Sequence, residues 1–482
     1  MIWSKARRQS FRAIATRAVF SLLLAACQAG PLSMDGTEPA EIPSLHTQAI
    51  PQTKAAPTGL PPVETVVLPW TETLALTEAP ASSMPALVAS LTPSPTSQPE
   101  SVTHRIGVRV EDGEGEFYDR LTGETFVPRG FNYVRVAPMP GAPGNMWHAT
   151  LNPGYYDPEK AEAALGQMQA LGYNVVRIFI DCCRPGVNAG DPNGGVSQAY
   201  LENTIDFLNK ASAHGIYVLM IFDLTPAQGG YDELWQQCCT LFDGENLRYL
   251  TRGGHTAERR FNRDFIQALI NRGAPMEAIF AYDLSNEVAF SVDKPPFSLD
   301  SGKVTTANEK TYDMSVPEDK TRMMDENLVY WVDQQRANIL EVVPTALVTV
   351  SFPAINTGQT TVHPWPAVYE STADFVDLHT YMGWGLSLDQ YMERFGVTAQ
   401  PEKPIILGEF GAARRAFPDI AVATRVLQDW QAASCAYGFD GWLYWTWDVN
   451  GQDDLWHGLS ENGEIAAALS PAERQDPCAR AH

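Results

Sequence analysis

The sequence predicts an α/β protein, a (β/α)8 TIM barrel preceded by a disordered linker. Eight short apolar runs recur beyond residue 104, and seven of the gaps between them are long enough for a helix. Runs of this kind are typical of strands buried on both faces, as in a parallel sheet inside a shell of helices. Eight strand and helix units over roughly 370 residues fit such a barrel with insertions. The apolar runs are 126–133, 173–180, 216–223, 279–287, 347–352, 375–381, 405–411 and 441–447.

Helix signals between the apolar runs support this architecture. Asp157 before Pro158 is typical of an N-cap followed by proline at the first helical position, and Ser197 begins a second helical pattern. A doubly wound open sheet is the competing architecture, but no glycine-rich phosphate loop follows the first run, which disfavours it. Further helical patterns lie at 258–272, 320–342, 418–436 and 460–469.

The first 27 residues have the composition of an export signal. A basic region precedes the apolar segment 18–26, which is too short for a membrane span. The sequence Leu24-Ala-Ala-Cys27 resembles the lipobox of bacterial lipoproteins, which implies cleavage before Cys27 and a lipid on its thiol. We therefore expect an extracytoplasmic protein that is anchored to a bacterial membrane through this lipid and contacts the membrane in no other way.

Residues 28–103 differ in composition from the rest of the chain. Thirteen of the 35 prolines fall between residues 28 and 100, among threonine, serine, alanine and glutamate. Such a segment is typical of a disordered, partly extended spacer. The sequence thus divides into a signal at 1–27, a linker at 28–103 and a single folded domain at 104–482.

The chain is strongly acidic, with a formal net charge of -23. This charge argues against nucleic acid as a partner and against binding to anionic lipid through basic patches. A solvated acidic surface is the simpler interpretation, and we expect a monomer.

Six cysteines besides Cys27 could form up to three disulfides in an oxidising compartment. The sequence leaves ~15 pairings open. The pairing that we favour joins Cys182 and Cys183 to Cys238 and Cys239, and Cys435 to Cys478. No Cys-x-x-Cys spacing is present and histidine is sparse, so we expect no metal site.

Two of the apolar runs end at a glutamate. One leads into Asn286 and Glu287, and the other leads into Glu409. In a barrel the carboxyl ends of parallel strands meet at one mouth, where active sites are built. Two carboxylates at such a mouth can carry out glycosidic bond hydrolysis, which needs a proton donor and either a nucleophile or a base. Taken singly, a glutamate at a strand end is more often a solvated or structural group.

Residues from about 105 to 470 resemble the (β/α)8 retaining glycoside hydrolases with catalytic glutamates on strands four and seven, and most closely the cellulase-like family five. The resemblance depends on the order and the strand placement of the matching residues. These are Arg177, Asn286, Glu287, His379, Tyr381, Glu409 and Trp445.

The resemblance implies a role for each matching residue. Glu287 would be the general acid/base and Glu409 the nucleophile, with no metal or organic cofactor. Arg177 and Tyr381 would donate hydrogen bonds to the nucleophile, because a guanidinium and a phenol can both donate to a carboxylate. An ordinary surface ion pair is the alternative for Arg177.

The remaining matches would bind substrate. Asn286 would hydrogen-bond the sugar hydroxyl next to the reacting carbon, and His379 would line the same subsite, although a structural hydrogen bond is an equally common role for such a histidine. Trp445 would stack on a sugar ring, with a core position as its alternative. Three tryptophans in predicted loops are candidates to extend the cleft: Trp147, Trp384 and Trp456.

The predicted function is hydrolysis of β-linked glycans with retention, with β-1,4-glucan or β-mannan as the first candidates for substrate. The long gaps 224–257 and 288–319 would wall an open cleft, which favours internal cleavage. One departure affects the substrate assignment: strand three ends in Asp223, where the family commonly has a histidine. The alternatives are an exo-acting β-glycosidase, another glycan hydrolase, or a surface protein that binds carbohydrate without turnover.

Overall fold

The computed structural model describes most of the chain from residue 104 onward. The predicted signal with Cys27, the predicted linker 28–103 and the four cysteines between 182 and 239 lie outside the described residues. The described ranges are 104–139, 142–180, 188–236, 241–354, 360–361, 367, 369–397, 402–448, 452–474 and 477–478.

Seventeen strands and nine α-helices are described. The strands are β1 (Ile106–Glu111), β2 (Glu114–Asp119), β3 (Arg129–Asn132), β4 (Val136–Met139), β5 (Ala142–His148), β6 (Val175–Phe179), β7 (Tyr217–Ile221), β8 (Ile279–Asp283), β9 (Phe290–Ser291), β10 (Lys303–Thr305), β11 (Thr311–Asp313), β12 (Val348–Thr349), β13 (Ser351–Phe352), β14 (Thr360–Thr361), β15 (Val376–Met382), β16 (Ile405–Ala412) and β17 (Phe439–Tyr444). The helices are α1 (Pro158–Ala170), α2 (Gln198–Ala213), α3 (Asp232–Gln236), α4 (Asn246–Leu250), α5 (Arg252–Asn271), α6 (Pro317–Val342), α7 (Leu388–Phe395), α8 (Ile420–Ser434) and α9 (Ser460–Ala468).

The main sheet is a closed parallel barrel of eight strands. The sheet contains nine segments, of which β12 and β13 are separated only by Val350. β12 pairs with β8 and β13 pairs with β15, both in parallel, so the two segments act as the fifth barrel strand and close the ring. The predicted (β/α)8 fold is confirmed, and each of the eight apolar runs overlaps one barrel strand.

Helix boundaries follow the capping residues. Asp157 accepts hydrogen bonds from the first turn of α1, and Ser197 caps α2, as predicted. The pattern at 258–272 belongs to a longer helix that begins at Arg252, because Thr251 accepts a bond from the Gly254 amide and caps it there. The pattern at 418–436 gives the shorter α8, because Asp419 is its N-cap.

A hairpin that the sequence did not predict packs against the amino-terminal end of the barrel. It consists of β1 and β2, and its Phe117 ring lies 5.2 Å from Phe280 and 5.1 Å from Phe375. Ile106 and Phe117 pack on an apolar layer that fills this end of the barrel interior. The other buried members of the layer are Val175, Leu219, Phe280, Ala281, Leu347, Phe375, Ile406 and Leu443.

The middle of the barrel is polar instead. Arg177, Asp283, Asp377 and His379 are all fully buried there. Buried charges are tolerated only when they are paired, so this layer must be a connected network. A further cluster, with Phe179, Ile221, Tyr381 and Trp445, packs next to the carboxyl ends of the strands.

The long connections after strands three and four pack against each other as one insertion unit, residues 241–257 and 288–314. The Asn246 amide donates to the carbonyls of Ser291 (2.8 Å) and Pro295 (3.0 Å). The rings of Tyr249 and Phe290 lie 5.2 Å apart. The unit adjoins the end of strand four, which places its residues beside the predicted acid/base.

Cys435 and Cys478 form a disulfide, which confirms that predicted pair. None of the helices that the structure describes is both long and apolar enough to span a bilayer.

Candidate active site

Glu409 lies inside β16 and is almost completely buried, at 3% exposure. Its Oε1 accepts a hydrogen bond of 2.6 Å from Arg177 Nη1, and its Oε2 accepts one of 2.5 Å from the Tyr381 hydroxyl. Both oxygens are therefore held by donors, and the carboxylate has a fixed orientation at the carboxyl end of the barrel.

Arg177 is the centre of the polar layer. Its Nη2 donates to Asp283 Oδ2 and to Asn286 Oδ1, each at 3.0 Å, and its Nη1 also donates to Asn132 Oδ1 at 3.0 Å. Burial disfavours the charge of Arg177, but the carboxylates around it raise its pKa, so the guanidinium stays protonated. The surface ion pair that was the alternative for this residue is excluded by its full burial.

Glu287 follows β8 by four residues and remains partly accessible, with 27% of its side chain exposed. Its Oε1 lies 2.9 Å from His379 Nδ1, and its backbone amide donates to Ser351 Oγ at 3.1 Å. The backbone at Glu287 has a φ of 52°, in the left-handed region where a Cβ atom costs about 1–2 kcal/mol. Surrounding contacts must therefore hold this conformation.

The two glutamates face each other. A carboxylate oxygen of Glu287 and one of Glu409 lie within 4.8 Å of each other and of a His379 ring nitrogen. A separation of about 5–5.5 Å suits direct attack by one carboxylate on a sugar, whereas an inverting pair needs about 6.5–9.5 Å to admit a water. The closest oxygens of Glu287 and Glu409 are nearer to the first of these separations.

The environments of the two carboxyls differ. Burial raises the pKa of Glu287 to about 7, and only Arg177 opposes this shift. Burial also raises the pKa of Glu409, but the Arg177 charge and the Tyr381 hydrogen bond oppose it. The pKa of His379 is lowered to about 4 by burial, so its ring is neutral near pH 7. The arrangement favours a proton on Glu287 and a charge on Glu409.

The predicted substrate-binding residues lie around this pair. Asn286 is half-buried, and its carbonyl oxygen is already taken by Arg177, which leaves its NH2 group as the donor for a ligand. Trp445 is buried, at 7% exposure, and its Nε1 donates to Gln452 Oε1 at 2.8 Å. Its ring is nearly perpendicular to Phe179, with centroids 6.0 Å apart.

The loop tryptophans fall into different positions. Trp384 is 40% exposed and stacks on the Tyr381 ring, with centroids 4.2 Å apart, so it lies beside the residue that binds Glu409. Trp456 is buried and donates to the Phe417 carbonyl, which makes it a core residue. The side chain of Trp147 lies outside the described residues.

Comparison with protein families identifies this architecture. The description "Cellulase (glycosyl hydrolase family 5)" applies to the family that matches residues 130–451, a span that reaches into every barrel strand and contains both glutamates. The chain belongs to glycosyl hydrolase family 5. It is therefore a glycoside hydrolase, as the sequence predicted.

Solved structures are similar to this family 5 chain. The endo-1,4-beta-mannanase from Rhizomucor miehei is similar with a TM-score of 0.53 and 16% identity, over 77% of this chain and 100% of that one. The beta-mannanase from the blue mussel Mytilus edulis is similar with a TM-score of 0.47 and 16% identity, over 77% of this chain and 98% of that one. No curated protein sequence matches the chain.

Sequence reasoning missed two carboxylates of this family 5 site, Asp283 and Asp377. Asp283 binds Arg177, and Asp377 lies 3.7 Å from both Arg177 Nε and His379 Nε2. Burial raises the pKa of Asp377 well above its usual value. A Cβ atom at Gly408 would lie 1.9 Å from Asp377 Oδ1, so only glycine fits there. The sequence signal that could have revealed both residues was an aspartate inside an apolar run that predicts a strand.

Asp223 occupies the position where a histidine is common in the family. It is half-buried, and burial raises its pKa to about 7. Its backbone carbonyl accepts a hydrogen bond from Arg248. The departure from the family pattern therefore adds a titratable carboxyl at the end of strand three.

Glu287, His379 and Glu409 are also close enough to bind a metal ion together. Arg177 already donates to Glu409 at 2.6 Å, and this guanidinium would repel a second cation. The donor set therefore suits a protonated carboxyl and a charged one better than a metal centre.

Proposed function

We propose that this family 5 chain hydrolyses β-1,4-linked glycans with retention of configuration, with β-mannan and β-1,4-glucan as its candidate substrates. The observation that carries the proposal is the separation of at most 4.8 Å between carboxylate oxygens of Glu287 and Glu409. The proposed roles are those that the sequence suggested, acid/base for Glu287 and nucleophile for Glu409.

The reaction would proceed in two displacements. In the first, a Glu409 oxygen attacks the anomeric carbon while the glycosidic C–O bond breaks, and Glu287 gives its proton to the departing oxygen. In the second, Glu287 takes a proton from water, the water oxygen attacks the same carbon, and the bond to Glu409 breaks. Two inversions restore the original configuration and both carboxyls return to their starting forms.

The neighbours of the two glutamates support these two roles. Arg177 and Tyr381 present Glu409 as an oriented, ionised nucleophile. The NH2 group of Asn286 has no hydrogen-bond partner among the described residues and is the proposed donor to the sugar hydroxyl next to the reacting carbon. Trp445 and the exposed Trp384 are the proposed stacking surfaces for sugar rings.

The choice of polysaccharide and the mode of attack belong to the proposal. We place β-mannan first on a test panel because a structure of the same fold is an endo-1,4-beta-mannanase. Internal cleavage is the proposed mode, with exo-acting release of single sugars as its rival. A rapid loss of viscosity with few reducing ends would favour internal cleavage.

The test is digestion of mannan, glucan, xylan and galactan panels by the purified protein, with identification of the products and NMR detection of the anomer that is released first. The Glu409→Ala variant, purified in the same way, controls for contaminating hydrolases. Initial release of the β-anomer supports the proposal. Initial release of the α-anomer, or glycan binding with no release of reducing sugar at any pH, would refute it.

We also propose that the enzyme acts outside the cytoplasm while anchored through a lipid on Cys27. The disulfide between Cys435 and Cys478 supports an oxidising compartment. Metabolic labelling with radioactive palmitate tests the anchor. Label should enter the membrane-bound wild type and be absent from Cys27→Ala, which should become soluble; label that persists in the variant would refute the anchor.

A further inference from the structure

A second buried arginine, Arg248, binds residues at the end of strand four, as Arg177 does. It belongs to α4 of the insertion unit and is only 2% exposed. Its Nη2 donates to the carbonyls of Leu284 (2.8 Å) and Phe222 (3.2 Å). Its Nη1 donates to the Asp223 carbonyl and to Ser285 Oγ at 2.8 Å. One guanidinium thus binds the ends of strands three and four.

Arg248 is itself held in place by a buried counter-ion. Its Nε donates to Glu258 Oε1, and Glu258 Oε2 accepts from Trp331 Nε1 and from Gln335 Nε2. These partners belong to α5 and α6, so the guanidinium is fixed to two long helices of the outer shell. A buried charge with all its donors engaged has little freedom to move.

Two of the groups that Arg248 binds, the Leu284 carbonyl and the Ser285 hydroxyl, immediately precede the acid/base. Ser285 is two residues before Glu287, and its carbonyl accepts a bond of 2.8 Å from Ser351 Oγ. The same Ser351 Oγ accepts a hydrogen bond of 3.1 Å from the Glu287 amide. The left-handed φ of Glu287 needs support from its surroundings, and this chain of contacts provides it.

We propose that Arg248 is a positioning residue for Glu287, which fixes the turn 284–287 so that the carboxyl can deliver its proton to the leaving oxygen. This inference rests on the proposed function. Arg177 holds the same turn through Asp283 and Asn286, but it also binds the nucleophile. No hydrogen bond or ion pair joins Arg248 to Glu409 among the described residues, so its contacts act on the turn that carries the acid/base and not on the nucleophile.

This arrangement of contacts predicts an unusual kinetic signature. A leaving oxygen of high basicity needs the proton of Glu287 in the first displacement, whereas 2,4-dinitrophenolate departs without it. Displacement of Glu287 should therefore lower kcat/KM for substrates with poor leaving groups and leave it almost unchanged for substrates with good ones. A general loss of structure would slow all substrates by the same factor. The constant kcat/KM reports the first displacement alone, because the second displacement follows release of the leaving group.

The experiment measures kcat/KM of the full chain with aryl β-mannobiosides, and with the matching aryl β-cellobiosides, whose leaving groups range from 2,4-dinitrophenol to phenol. The test variants are Arg248→Lys and Ser285→Ala. The second variant removes one acceptor of Arg248 but keeps its ion pair with Glu258. The control is Arg336→Lys, which alters a partly buried bidentate pair with Asp374 on the outer shell. We expect the test variants to lose about 10- to 100-fold with the phenyl glycoside and less than about threefold with the dinitrophenyl glycoside. The control should keep the wild-type dependence on the leaving group.

An equal loss across the series in both test variants, or no loss, would overturn the positioning role. If Arg248→Lys does not fold, Ser285→Ala alone decides the question. A wild type that cleaves neither series would refute the proposed function and this inference together. A wild type that cleaves one series, with test variants that keep its leaving-group dependence, would refute only the inference.

Discussion

The Tyr381 hydroxyl donates to Glu409 Oε2 at 2.5 Å, on the opposite side of the carboxylate from Arg177. Among the described residues, the Glu287 carboxyl has a single hydrogen-bond partner, His379, at 2.9 Å. Donors stabilise the charged form of a carboxylate, so this unequal distribution supports an ionised Glu409 and a protonated Glu287.

Removal of the Tyr381 hydroxyl should impair catalysis more than stability. Hydrogen bonds to charged groups contribute about 1.5–3 kcal/mol, so Tyr381→Phe should lower kcat by about ten- to a hundredfold. The matched control is Tyr231→Phe, which removes the hydroxyl of a buried tyrosine that donates to Asp264 on α5. Steady-state kinetics on the best glycan substrate measures both, and a Tyr381→Phe rate within about twofold of wild type would contradict this role.

The pH dependence should report both glutamates. The active form has Glu287 protonated, and its pKa is raised to about 7, so kcat/KM should fall as pH rises through about 7. Glu409 must be ionised, and its pKa is raised. The acid limb of the pH profile should therefore lie at a higher pH than the usual pKa of a glutamate. In Glu287→Ala with a dinitrophenyl glycoside the basic limb should vanish. A basic limb that persists in this variant would assign it to another group.

Loss of the Arg177 charge should destabilise the fold as well as the site. Arg177→Met leaves Asp283, Asp377 and Glu409 buried without their counter-ion, which should lower the free energy of unfolding by about 3–5 kcal/mol. Arg336→Met breaks a pair near the surface and should cost only about 1 kcal/mol. Urea denaturation measures both values. Equal losses in the two variants would show that the polar layer of the barrel is not held together by Arg177.

The disulfide should contribute measurably to stability. It closes a segment with a sequence separation of 43 residues, so the double variant Cys435→Ala/Cys478→Ala should lose about 2–4 kcal/mol of unfolding free energy. Reduction of the wild type should reproduce the loss. Unfolding curves that coincide with and without the disulfide would contradict the expectation.

The barrel could be predicted from the sequence because its strands are buried on both faces. Continuous apolar runs such as Ile405–Leu407 have no other stable location in a protein of this size. The carboxyl ends of these runs also gave the positions of Glu287 and Glu409. The hairpin of β1 and β2 was missed because its strands are half-exposed, with Val110 at the surface, and so lack a continuous apolar run.

The polar network was less accessible to sequence reasoning because it depends on contacts between distant residues. Arg248 lies in a connection, where an arginine normally points to solvent. Its burial depends on Glu258 on the next helix and on Trp331 far along the chain. Similarly, Gly408 is required only because the Asp377 carboxylate of the neighbouring strand fills its side-chain space.

The most direct test of the central claim is azide rescue of the two glutamate variants with an activated aryl glycoside. Glu287→Ala can still form the glycosyl-enzyme, so added azide should give a glycosyl azide of retained configuration. Glu409→Ala has no nucleophile, so it should not turn over and should give no retained product with azide. A retained glycosyl azide from Glu409→Ala and none from Glu287→Ala would mean that the two roles are reversed.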